Sequence, residues 1–245
     1  MKKHDVVLWI LFIVFMAFRL TVRMEYWVVL SLETCGLAIA LLIKAKAPSK
    51  KYIFISIILA VLSTVAYLGY ESNPWVLLYG LRAGIPTLLC GLAVFSVMEK
   101  RGGYALLSDK GKYPFLTTIL IAIVVGGILA AVNLIGNEIS FAPSFGKIFL
   151  CLNPAIYEEI ADRAIFIAFC VWYADGKMNV FQIFTMYFMA CVPHAAVHGY
   201  PLVPTLMLCA VFGLPFAILQ KKRDITCAML SHGIVDAVRF VLIGF

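Results

Sequence analysis

Residues 115–135 read FLTTILIAIVVGGILAAVNLI, a run without one charged side chain. A helix of about 20 mostly apolar residues crosses the hydrocarbon core of a bilayer. This run is long enough to do so, and it is not alone. Further spans are expected near 6–22, 26–43, 52–69, 75–98, 148–173, 180–198, 202–220 and 225–244. The bulk composition agrees: 63% of the 245 residues are hydrophobic, 13% are charged, and the mean hydropathy is +0.99. Soluble domains carry about 25% charged residues. The expected fold is all-α, a polytopic transmembrane helical bundle of roughly eight or nine spans. It forms a single membrane domain over 1–245, with no soluble appendage and no internal repeat.

The loop charges support this layout. With the N-terminus inside, fourteen of the 20 Lys and Arg residues fall in inside segments, three outside, and three (Arg82, Arg163 and Arg239) within spans. That is the bias of the positive-inside rule. The net charge of +7 therefore reads as topology. Nucleic acid is not an expected partner, because no basic run is interleaved with aromatics. Lys2 and Lys3 precede an apolar run, but no A-x-A-like cleavage site follows, so the first span is expected to be kept. The seven cysteines, Cys35, Cys90, Cys151, Cys170, Cys191, Cys209 and Cys227, lie in apolar stretches without a CxxC pair. They read as packing residues and not as a disulfide framework or metal cluster.

An ionisable residue at membrane depth costs a few kcal/mol and needs a partner or a purpose. The first five spans hold few such residues, chiefly Glu33 and Arg82. The last four hold Glu158, Glu159, Asp162, Arg163, His194, His198, His232, Asp236 and Arg239. Three groups stand out. On a helix Glu159 and Arg163 share a face, while Glu158 is turned by about 100° and aligns with Asp162. Arg163 can then neutralise Glu159 and leave Glu158 to act on a water, as a general base or acid. Two acids near a helix start also favour the helix dipole, and Pro154 upstream suits that plainer reading. His194 and His198 are i, i+4 neighbours on one face. They could be polar residues at a headgroup boundary, a catalytic pair, or a zinc pair. The zincin pattern H-E-x-x-H is absent. His232 and Asp236 repeat the i, i+4 spacing in the last span; the aspartate can orient the imidazole, or the pair can serve helix packing alone. Neither a G-x-S-G-like serine turn nor an aspartyl G-x-G-D is present. What is left is a carboxylate–histidine arrangement.

Glu158-Glu159-x-x-x-Arg163, then a histidine motif, then His232-x-x-x-Asp236 resemble the CPBP family, the CAAX proteases and bacteriocin-processing or immunity (Abi) proteins. The resemblance covers roughly residues 150–240. That family has E-E-x-x-x-R, F-x-x-x-H and H-x-x-x-N or H-x-x-x-D. The middle motif departs: Ala190 precedes His194, and His194 precedes His198. The resemblance implies a CPBP-like core over 144–245, spans six to nine, beside N-terminal spans one to five over 1–140. It implies a membrane endopeptidase, a CAAX-type hydrolase performing intramembrane proteolysis. Glu158 and a middle histidine would activate water, and His232 and Asp236 would stabilise the oxyanion and leaving group. Glu159 and Arg163 would be supporting residues. Between the histidines, distance from the E-E pair fits His194 and distance to His232 fits His198; both are carried, with His198 the expected catalytic one and His194 behind it. No cofactor is expected; were zinc bound, Glu158, His194, His198 and His232 would hold it. The expected partners are a peptide or membrane-protein substrate, prenylated or not, and the lipid bilayer, in the cell membrane. Two other classes stay open: a catalytically inactive immunity or scaffold protein of the same fold, and a transporter relaying protons. Transporters often show repeated halves, which this chain does not.

Overall fold

A computed structural model describes residues 5–7, 9–10, 13–14, 17, 26–69, 75–175 and 177–244. The expected first span, 6–22, falls largely outside them; its described parts are helical, and Trp9 packs on Phe188 with ring centroids 5.1 Å apart. From there the chain runs α1 (Tyr26–Ala45), α2 (Lys50–Val65), α3 (Val76–Arg101) and α4 (Pro114–Leu134). The short α5 (Phe145–Leu150) and α6 (Leu152–Tyr157) lead into a π-helical segment, Glu158–Ala164, and then α7 (Ile165–Tyr173). After α8 (Val180–Val197), a second composite rod comprises α9 (Leu202–Leu208), a π-helical segment Cys209–Gly213, and α10 (Leu214–Lys222). Helix α11 (Ile225–Leu242) closes the bundle. No strand occurs among the described residues.

The protein is thus an all-α, polytopic helical bundle and a multi-pass integral membrane protein. Among the described residues, seven helices are long and apolar enough to cross a membrane. The expected span at 148–173 is not one of them, because after a turn at Cys151 its helix carries Glu158, Glu159, Asp162 and Arg163 at mid-length. The rod 145–173 is still the hub of the fold. Ile160, Ala161, Ile165, Phe166 and Ala168 are wholly buried, packed among α1, α3 and α8. The outer helices show the reverse pattern. Phe54, Ile57, Leu81, Ile85, Ile123 and Phe184 are exposed, as side chains facing lipid would be.

Local chemistry fixes the ends of the rods. Pro114 opens α4, where its missing N–H is harmless. Asn179 and Gln182 form a reciprocal capping box at the start of α8, with bonds of 2.9 and 3.1 Å. Asp224 caps α11 by accepting from the Cys227 N–H at 2.7 Å. Its other oxygen accepts from the Ser108 N–H and the Thr118 hydroxyl, so α4, the 102–113 loop and α11 meet at one carboxylate. Higher up, α4 and α11 touch through Gly126, where a Cβ would come 2.8 Å from the Ser231 carbonyl oxygen. That close approach sets the position of His232, the next residue. The same contact joins the stretch 1–140 to the stretch 144–245.

Candidate active site

The π segment builds the site from one side. Its wider turn bonds i to i+5 instead of i+4, and such turns are frequent at functional sites. Arg163 is 2% exposed, and one of its terminal nitrogens lies 2.6 Å from Glu159 Oε1, the expected i, i+4 pair. The same nitrogen is 3.9 Å from Glu158 Oε2, five residues earlier. The wide turn therefore brings Arg163 within reach of both glutamates, so Glu158 is not independent of it as a regular helix would make it.

Glu159 is wholly buried and saturated with partners. Besides Arg163 it accepts from the Gln220 side-chain amide at 2.6 Å and faces His232 Nδ1 at 2.7 Å. Gln220 also donates to the Glu159 carbonyl at 2.8 Å. Gln220 belongs to the assembly, yet the sequence drew no attention to it. Its only signal was an amide at the end of an apolar run.

Glu158 stands at the centre. Its Oε2 lies 3.1 Å from His194 Nε2 and 3.5 Å from His232 Nε2. These two histidines come from α8 and α11, so three rods converge on one carboxylate oxygen. His194 turns its other nitrogen to Asp162 Oδ2 at 3.3 Å. His232 turns its Nδ1 to Glu159, while its Nε2 also lies 3.4 Å from Asp236 Oδ2. Carboxylates only accept, so each ring can donate on both sides only as the imidazolium. Phe216 stacks on His232 at 4.6 Å and holds its plane.

His198 sits apart from this contact set. Helix α8 ends at Val197, and His198 is its C-cap. Its Nε2 is 3.5 Å from His194 Nε2, and its ring is bracketed by Trp27 at 5.2 Å and a stacked Tyr200 at 5.5 Å. Of the two histidines carried from the sequence, His194 is the one that touches Glu158, and His198 stands behind it at the rim. The family's phenylalanine position before His194 is Ala190, wholly buried. An aromatic ring does lie against His194, but it is Trp27 from α1, 5.6 Å away.

A cavity of about 300 Å³ opens on this set, lined by Glu158, Arg163, His194, His198, His232 and Asp236 among others. Glu159 and Asp162, both wholly buried, lie behind this lining. Among the described residues, no three His, Cys, Asp or Glu side chains have the arrangement of a metal site. The chain matches no family model, no curated protein and no solved structure.

Proposed function

We propose that this protein is an intramembrane endopeptidase of the CPBP type, acting on a peptide bond of a membrane-associated substrate in the cell membrane, with its N-terminus inside. One observation carries the reading: a single cavity-facing carboxylate oxygen, on Glu158, lies within 3.5 Å of imidazole nitrogens from two other rods. Structural ion pairs do not need an open cavity, and this set has one.

In the proposed reaction Glu158, with His194, holds a water and takes its proton. The water oxygen attacks the carbonyl carbon, and the developing oxyanion lies against the His232 Nε2–H. Preformed donors of this kind supply much of the stabilisation in acyl-transfer enzymes. Glu158 then passes the proton to the amide nitrogen as the C–N bond breaks. Asp236 and Glu159 orient His232 from its two sides, and Arg163 with Gln220 holds Glu159.

The test is cleavage of fluorogenic membrane-anchored peptides by the protein in liposomes. Wild type should cleave and Glu158→Gln should not, since removing a general base costs about 10²- to 10⁴-fold. Equal rates for both would overturn the proposal. The buried Ala190, where the family motif has an aromatic, favours a second reading: a non-catalytic immunity or scaffold protein. Peptide binding by the wild type without cleavage would select it.

A further inference from the structure

The cavity at Glu158 continues past the residues that surround the carboxylate. On one side it shares Tyr67, Asn153 and Glu158 with a lobe of about 420 Å³. On the other it shares Asn133, Leu208, Phe212 and Arg239 with a lobe of about 550 Å³, bordered by α4, α9 and the end of α11. Arg239 stands at this second joint.

Arg239 follows His232 by seven residues and Asp236 by three, so the three share one face of α11. At 1.5 Å per residue, Arg239 lies about 10 Å along the helix from the reacting centre. Its guanidinium makes no hydrogen bond and no ion pair with a described residue. Asp236, the nearest acid on its own helix, is turned to His232. The other residues at the joint are the apolar Leu208 and Phe212 and the neutral Asn133. A cation within a span normally pairs with a protein group or marks a substrate path. Arginine's planar fork of donors matches a carboxylate in bidentate fashion.

We infer that Arg239 is a specificity-determining residue that binds a carboxylate of the substrate, while the substrate's apolar portion fills the third lobe. The inference rests on the hydrolytic reading of Glu158. The carboxylate can come from an acidic side chain or from a chain terminus, and the experiment separates them.

The probes are internally quenched apolar peptides of about ten residues, identical except for one position that is Glu or Gln, moved stepwise along the chain. Each is made with a free and an amidated C-terminus. The readout is the ratio of kcat/KM between acidic and neutral members of a pair. At one position wild type should prefer the acidic peptide by about tenfold or more, the size of one charged hydrogen bond. Arg239→Gln should bring that ratio to near one, and Arg239→Glu should prefer a Lys peptide. A preference that tracks the Glu position assigns the side chain; one that tracks the free C-terminus assigns the chain end. A ratio unchanged in Arg239→Gln overturns the inference, as does a response of that variant to anionic lipid alone. Affinities of the same peptides, measured by fluorescence anisotropy, separate the two claims. Discrimination in binding without cleavage supports Arg239 and overturns the hydrolytic proposal. Cleavage without discrimination in either assay does the reverse.

Discussion

Two pairs of polar residues with the same i, i+4 spacing end in different environments. His232 and Asp236 lie in the interior of α11, which runs on unbroken to Leu242. The helix keeps both on the cavity face, 3.4 Å apart, and clamps the imidazole between Asp236 and Glu159. His194 and His198 lie at the end of α8. The first is buried and bonded to two carboxylates; the second sits at the rim between two aromatic rings. Spacing places two residues on a face. Where the helix stops decides whether both reach the same depth.

The largest expected effect follows from that contrast. His194→Ala and His232→Ala should each lower peptide cleavage by about 10²- to 10⁴-fold, the range for a positioned proton-transfer group. Rate measurements on both variants would break the comparison if one of them cleaved like wild type. Next comes Arg163→Ala, which takes the guanidinium from the buried Glu159 and leaves it only Gln220 and His232. Losing one partner of a buried pair costs about 3–5 kcal/mol, so thermal unfolding in detergent should show a large fall in stability. A variant with wild-type stability but no activity would move Arg163 from support to chemistry. Gly126→Val should loosen the α4–α11 contact by about 1–3 kcal/mol, the usual cost of overpacking. Because that contact positions His232 and leaves α8 alone, the loss should appear in α11 by hydrogen exchange. Gln220→Leu should cost about 1–3 kcal/mol, the penalty for an unmet buried acceptor. The smallest effect is expected for His198→Ala: a fall in cleavage of no more than about tenfold, the worth of a modest polar contact. A loss equal to that of His194→Ala would return His198 to the centre.

Much of this was legible in the sequence. The spans that came through whole did so because length and apolarity decide them; the run at 115–135 became α4 almost to the residue. The Glu159–Arg163 pair was legible because it is local. The π segment in the sixth span was not, since nothing in its composition separates a π turn from an α turn. Gln220 was missed because it is 61 residues from Glu159 and only the packed fold joins them. The sequence distances pointed to His194 from one side and His198 from the other, because distance along the chain carries no information about depth.

The π segment has a consequence of a different kind. It absorbs an insertion: a wide turn holds one residue more than the ordinary helix would. Deleting a single residue between 159 and 163 would let the wide turn relax to an ordinary α turn, with the helical pieces on either side kept in phase. What would be lost is the bulge itself, and with it the reach of Arg163 to both Glu158 and Glu159. Point substitutions around this site act by degrees, but the wide turn is present or absent as a whole, and the double contact of Arg163 depends on keeping that one extra residue.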